Sequence, residues 1–320
     1  WDATGPGHIH FDAADLGEPQ LGWIIENRLI QAALWARAEA FANVQLLCPA
    51  QLEWLAVEDD RIRLRLGSGR YLSSRLLVGA DGARSRTRIL TGIAAGGWGY
   101  HQQAVVAVVA TERSHRETAW QRFLPTGPLA FLPLADGRCS IVWSTTPEQA
   151  GKLLALEEGD FAAELAAAFG HRLGAITKVG PRGAFPLGLQ YALGYVRPRV
   201  ALVGDAAHVI HPLAGQGVNL GLLDAAALAE VLGQALAEAR DPGALGVLRR
   251  YERWRKGDNL LTMGTMDIFK RLFGNQLAPV RWLRNAGLLL TDAATPMKNQ
   301  LARRAMGLTG DLPRLARENS

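Results

Sequence analysis

The stretch RVALVGDAAHVIHPLAGQGVNLGLLDAAALAEVL, residues 199–232, constrains the fold of this chain more than any other segment. It opens on a short apolar run of the kind that forms a strand buried on both faces, and the run stops at Gly204 and Asp205. It closes on a long apolar helix entered through Gly215, Gln216, Gly217, Val218 and Asn219. A second buried run, RLLVGADG at residues 75–82, also ends in Gly and Asp. Two such strands imply an α/β domain whose ligand gathers at their carboxyl ends.

Between them, QQAVVAVVATE, TAWQRFLP, LAFLPL and CSIVWST alternate like antiparallel strands, divided by TGP and ADGR turns. The helical pattern PEQAGKLLALEEGDFAAELAAAFG and a strand at KVGPRGAFPL follow, and from about residue 244 the chain reads as helix. Residues 26–41 also have helical periodicity, and residues 44–82 read as three short strands. The fold class is therefore α/β: one discontinuous α/β domain with an inserted antiparallel β-rich domain and a helical C-terminal segment.

A carboxylate at a strand end, as at Asp205, accepts hydrogen bonds from a polyol and repels bare phosphate. It could equally cap the next turn. The glycines of the helix start let backbone approach a ligand, and unpaired amides there favour partial negative charge. Gly215, Gly217 and Gly221 spell GxGxxxG, which also fits close helix packing; ten residues including Pro212 separate it from the strand, so it does not read as a pyrophosphate loop. His208 and His211 are three apart, but Pro212 and Gly215 break any helix that would align them, and no third ligand is nearby. Structural histidines, with no metal, are the expectation. In GADGARSRTR, residues 79–88, Arg84, Arg86 and Arg88 either form a solvated face or supply positive potential to a phosphate-bearing ligand.

Composition excludes several classes. Only Cys48 and Cys139 are present, without CxxC spacing, which fits a reducing, cytoplasmic compartment rather than a disulfide or zinc framework. Each apolar run is expected to fall short of the roughly 20 residues that span a bilayer. Of the net charge, residues 249–320 carry 14 Lys/Arg against 6 Asp/Glu, and residues 1–248 carry 21 against 24. The basic residues of the C-terminal segment interleave with apolar ones, as on a surface facing anionic lipid or a partner, or on ordinary helices packed against a core. No stripe of aromatics accompanies them, so nucleic acid is not an expected partner.

Taken together, GADGARSRTR and RVALVGDAAHVIHPLAGQGVNLGLLDAAAL resemble two signature motifs of the flavin-dependent aromatic hydroxylases, the class of para-hydroxybenzoate hydroxylase. Asp81, Gly82, Ser85 and Arg88 match its DGxxSxxR motif, and Gly204 with Asp205 its GD motif. WDATGPGHIHFD, GWIIENRLIQAALW, AFLPLADGRCSIVWS, HPLAGQGVNLG, LRRYERWRK and ARRAMGL are similar to the ubiquinone-biosynthesis branch (UbiH/UbiF/VisC type). WDATGPGHIHFD, CSIVWS and AMGL resemble most the enzyme hydroxylating a 2-polyprenylphenol; TAWQRFLPTGP leans to the one acting on a later, methoxylated intermediate. The family opens with a βαβ unit carrying GxGxxG, which is not found after Trp1, so the expectation is a chain truncated at its N-terminus.

The resemblance implies an FAD-binding domain at residues 1–97 and 196–260 lacking its first βαβ unit, a β-rich substrate domain at 98–195, and C-terminal helices at 261–320. It implies FAD as cofactor, NAD(P)H as reductant, and oxygen transfer from O2 to the ring of a polyprenylated phenol or quinol. Asp205 would bind the ribityl chain, Gly215 to Asn219 would sit at the electron-rich edge of the flavin ring, and Pro212 would shape the wall beside it. Asp81, Gly82 and Arg88 would organise a loop near the pyrophosphate and the nicotinamide approach. No catalytic base is assigned. Expected partners are peripheral membrane contact, at the inner membrane, and a ubiquinone-biosynthesis protein complex. The alternatives are a non-catalytic quinone-binding or scaffold subunit of the same fold, and a hydroxylase of another aromatic compound.

Overall fold

The structure is a computed structural model that describes residues 1–211 and 215–317. Pro212, expected beside the flavin, lies outside the described residues. The chain forms two compact units. One comprises Trp1–Ala32, Gly99–Leu187 and Ile268–Thr309; the other comprises Ala33–Trp98, Gly188–Asp267 and the last residues from Gly310. The first 32 residues thus belong to the same unit as the β-rich segment and the C-terminal helices, a division that runs differently from the domain bounds expected from sequence. The chain passes from one unit to the other within α1 (Asn27–Glu39), β5 (Ala95–Thr111), β10 (Gly183–Ala192) and α6 (Leu245–Gly274).

The first unit is built on an antiparallel sheet. β5, β8 (Cys139–Thr145), β7 (Gly127–Pro133) and β6 (Trp120–Leu124) pair in that order, and β9 (Ile176–Val179) pairs with β5. The alternation seen in the sequence sets the register: Val105 lies opposite Trp143, which lies opposite Leu129, and Ala107, Ile141 and Phe131 form the next row. Every one of these side chains is buried. Their inward face joins Leu153 of α3 (Pro147–Ala155) with Phe161 and Leu165 of α4 (Glu158–Ala168) in one core, where full burial of each large side chain stabilises by roughly 1.5–3 kcal/mol. Thr146 accepts a hydrogen bond from the Gln149 amide and Pro147 occupies the first turn, so α3 starts where capping chemistry dictates. The TGP turn needs its glycine: Gly127 has φ +147°, and a Cβ there would lie 2.6 Å from the Ser144 carbonyl oxygen.

The last helices of this unit, α7 (Ala278–Ala293) and α8 (Thr295–Ala305), are held from the other end of the chain. Arg284 donates through Nε to Asp2 (2.5 Å) and through Nη1 to the carbonyls of Phe273 and Asn275. Asn285 accepts from the Gly7 amide and donates to Asp2. A Cβ on Gly5 or Gly7 would collide with Asn285, which explains the glycines of WDATGPG. Burial opposes ionisation of Asp2, yet the bonds from Arg284 and Thr4 prevail and hold its carboxyl below the usual carboxylate range.

In the second unit, residues 44–82 form four strands rather than three. β1 (Leu52–Val57), β2 (Ile62–Leu66) and β3 (Tyr71–Ser74) make an antiparallel meander, turning at Asp59–Asp60 and at the αL residue Gly69; the buried run then supplies β4 (Leu77–Gly79). The polar strand β3 carries little apolar alternation, and it forms because the GSG turn sets its register on β2. β4 pairs parallel with β12 (Val200–Leu202), which forms a tight antiparallel pair with β11 (Val196–Arg197). β13 (His208–Val209) pairs with the end of β10. Against these strands α5 (Gly217–Ala237) and α6 close a core of Leu202, Tyr195, Leu228, Val231, Leu248 and Tyr251.

One expectation needs correction. The apolar run at α5 does not fall short: this 21-residue helix is long and apolar enough, by length and composition, to cross a membrane. Its buried stripe is Leu220, Asp224, Ala227, Leu228, Val231 and Ala235, so it packs as the central helix of its unit around a charged residue. Of the two readings open for the basic residues after 249, packing against a core applies to three of them. Arg255, Arg284 and Lys298 are buried, each paired with an aspartate.

Candidate functional site

Parallel pairing brings the two motifs side by side. Leu202 is in register with Gly79, and the Val203 amide donates to the Gly79 carbonyl, so both chains leave the sheet together. Asp81 and Gly82 follow one strand; Gly204 and Asp205 follow the other. The site grows from this pair of strand ends.

On the first strand the loop turns through Gly82 at φ +78° and enters α2 (Arg86–Leu90). Asp81 organises that entry. It accepts from Ser85 Oγ at 2.5 Å, from the Thr87 amide at 2.9 Å and from Thr87 Oγ1 at 3.0 Å, while Ser85 Oγ accepts from the Arg88 amide. Burial raises the Asp81 pKa, but these bonds outweigh it and hold the carboxyl below the ordinary range. The three arginines separate. Arg84 and Arg86 are exposed, whereas Arg88 is buried and donates to the Ala83 carbonyl in its own loop and to the Ala206 carbonyl in the other motif, both at 2.8 Å. Arg88 is a strap between the loops, its charge spent on backbone oxygens.

On the second strand Gly204 adopts φ +57°, costly for any residue with a Cβ. It begins a 3-10 turn, Gly204–Ala206, which presents Asp205 to solvent. The Asp205 carboxylate has no hydrogen-bond partner among the described residues. Crowding by the turn desolvates it and raises its pKa, against an opposing pull from His208. An outward acid without a partner can accept hydroxyl donors.

Under the turn lies a polar network that sequence reasoning missed. Asp224, fully buried in α5, accepts from the Gly204 amide at 3.2 Å, pairs with His208 Nε2 at 2.5 Å, and accepts from Arg255 Nε and Asn259 Nδ2, each at 3.0 Å. Tyr251 donates to the Leu202 carbonyl at 2.7 Å. Burial opposes ionisation of Asp224, and the bonds from its partners win, keeping it a carboxylate. His208 is thus a structural histidine, its ring anchored by Asp224, and among the described residues no three His, Cys, Asp or Glu side chains converge on one point. The signal was present in LLDAAAL: an acid sits on the buried i, i+4, i+7 stripe of an apolar helix, where it demands a cationic partner. YERWRKGDN supplies Tyr251, Arg255 and Asn259 on one face of α6.

The helix start behaves as a backbone cradle. Gly215 has φ +64° with open space where a Cβ would be, Gln216 is the cap, and Gly217, Val218 and Asn219 form the first turn, the last two exposed. The glycine pattern divides in function. Gly221 meets Gly204 across the helix–strand contact, where a Cβ would come within 3.2 Å of the Gly204 Cα, so it serves close packing and not ligand approach. The open αL turn, the outward Asp205 and the uncrowded amides of α5 fit the polyol and ring edge of a flavin.

Comparison with known proteins agrees. Residues 18–257 match the FAD binding domain family. The chain is 42% identical to a 3-demethoxyubiquinol 3-hydroxylase of Escherichia coli, over 94% of this chain and 77% of that protein. It is 43% identical to the ubiquinone hydroxylase UbiL of Rhodospirillum rubrum, over 99% of this chain and 74% of that protein. Among solved structures it is similar in fold to p-nitrophenol 4-monooxygenase from Pseudomonas putida, with a TM-score of 0.72 at 18% identity, covering 88% of this chain and 72% of that one.

Proposed function

The chain belongs to the FAD-binding family of flavoprotein monooxygenases, in its ubiquinone-biosynthesis branch, and from that premise we propose that it hydroxylates the ring of a polyprenylated phenol or quinol with NAD(P)H as reductant. The observation that carries this reading is the register of β4 and β12, which sets Asp81 and Asp205 at adjacent strand ends with Arg88 strapping their loops together.

Bound FAD would supply the redox chemistry that activates O2. The residues of this chain bind and orient. Asp205 would accept hydrogen bonds from the ribityl hydroxyls, and the amides of Gly217 to Asn219 would serve the ring edge, where the positive end of α5 favours negative charge. Gly204 and Gly215 keep side chains out of the approach. Asp81 fixes the loop that would lie beside the pyrophosphate, Arg88 fixes that loop against the Gly204 turn, and Asp224 holds the turn from below. The proposed setting is the cytoplasmic side of the inner membrane, with peripheral contact and with other proteins of the same pathway as partners.

Within the branch, 2-polyprenylphenol is the first substrate proposed, on the likeness of WDATGPGHIHFD, CSIVWS and AMGL. A demethoxylated quinol is the second, favoured by TAWQRFLPTGP and by the name of the Escherichia coli relative. The test supplies each compound to the flavin-loaded protein and follows NAD(P)H oxidation with product mass. A gain of one oxygen on either compound supports the reading and chooses between them; oxidation with no hydroxylated product from either contradicts it.

A further inference from the structure

Helix α7 is inside out. Its polar residues point into the protein: Arg284 and Asn285 are buried on Asp2, and Arg281 donates to the Thr4 carbonyl. Its apolar residues point away: Trp282 is 70% exposed, Leu283 61% and Leu290 69%. The outward positions 282, 283, 286, 287, 289, 290 and 293 read Trp, Leu, Ala, Gly, Leu, Leu and Ala, a face one helix wide with no charge on it. On α8, the next helix, Met297 and Leu301 continue the exposure one turn apart. Apolar surface gathered in this way marks an interaction site.

Charge identifies the occupant. Residues 268–309 contain seven Lys/Arg and one acid, Asp292. Asp292 is engaged by the His10 amide and Lys298, while Arg304 is exposed beside Arg303, which donates one of its nitrogens to the Leu16 carbonyl. A second copy would bring an equally cationic surface against this one, and like charges across a two-fold axis repel. An anionic bilayer meets both properties: leucines enter the acyl boundary, Trp282 sits at the headgroup level, and the arginines draw acidic lipid. With 16 residues, α7 is too short to span the roughly 30 Å hydrocarbon layer, and its buried Arg284 pins it to the unit.

We infer that the outward face of α7, continued by Met297 and Leu301, docks on the surface of a membrane containing anionic phospholipid. The proposed lipid-borne substrate gives this docking a use, but the evidence for it is independent of the flavin site.

Co-sedimentation of the protein with vesicles tests the inference. Binding to phosphatidylcholine vesicles containing phosphatidylglycerol is expected to exceed binding to pure phosphatidylcholine by about tenfold or more, and to weaken as salt rises. Leu283→Asp with Leu290→Asp is expected to reduce it by roughly tenfold or more, and Trp282→Ala, which adds no charge, by a smaller factor. Leu236→Asp, on an exposed position of α5, should leave binding unchanged. Absence of vesicle binding overturns the inference. So does unchanged binding by the double variant, or a concentration-dependent dimer that the double variant dissolves in place of vesicle binding. Because vesicle binding and flavin affinity are measured separately, failure of one leaves the other readable.

Discussion

Asp224 with Arg255, in one unit, and Asp2 with Arg284, in the other, are the same pair chemically: an aspartate and an arginine excluded from water and bonded through Nε, at 3.0 and 2.5 Å. They differ in what else the carboxylate holds. Asp224 also holds the Gly204 amide and His208, both at the strand end that carries Asp205. Asp2 holds Thr4 and Asn285, and through Arg284 the carbonyls that end α6, so it fastens the first residues of the chain to α7. A buried pair by itself says little about net stability. Its remaining partners say what it positions: a ligand turn in one unit, a docking helix in the other.

Removing one member should destabilise both units while separating their roles. Asp224→Ala leaves Arg255 buried without its partner and should cost about 3–5 kcal/mol in urea unfolding; Asp2→Ala should cost a similar amount through Arg284. The variants should part in ligand binding, with flavin affinity falling only in the first. Equal flavin loss in both would erase the distinction.

Acid should strike both pairs alike. Each carboxyl is held below its ordinary range, so the folded state binds its proton less readily than the unfolded state. The resulting stability is present at neutral pH and is lost as pH falls through the carboxylate range and below. Asp205 has the opposite sign: its pKa is raised, so its contribution declines as pH rises through that raised value. Unfolding midpoints measured from pH 7 to pH 3 should fall less steeply for Asp2→Asn and Asp224→Asn than for the parent chain. Parallel curves would show that neither pair carries the acid sensitivity.

Much of the site was legible because it is local. A strand ending in Gly-Asp, a glycine-rich helix start and a DG turn are read directly along the chain, and β4 and β12 place them together. Asp224 was harder, because its partners Arg255 and Asn259 lie more than thirty positions away and only the fold brings them beneath Gly204. Arg88 stood out only through its motif: the spacing shows three arginines alike, and burial alone decides that one of them binds carbonyls. The interleaving in α7 left a lipid-facing surface and core packing equally open; which face turns outward follows only from Asp2 drawing Arg284 inward and the Thr4 carbonyl taking Arg281.

Smaller effects should sharpen the picture at the turn itself. Gly204→Ala forces a Cβ into the αL region and should cost roughly 1–2 kcal/mol, with weaker flavin binding in a fluorescence titration. Gly221→Ala should mimic it less severely, because its Cβ needs only a few tenths of an ångström from the Gly204 Cα. Asp205→Asn lies on the surface and should change stability by no more than about 0.5 kcal/mol. Its flavin affinity should drop by roughly tenfold, the value of a lost bond to a charged acceptor. A stable Asp205→Asn protein with undiminished affinity would remove Asp205 from the site.

The most direct measurement is the FAD dissociation constant, by quenching of flavin fluorescence, for the parent chain, Asp224→Asn and Asp2→Asn under conditions where all three are folded. The parent should bind, Asp224→Asn should bind at least about tenfold more weakly because the Gly204 turn loses its support, and Asp2→Asn should match the parent. Equal affinity in all three, or equal loss in both variants, would contradict a flavin site at the paired strand ends braced by Asp224.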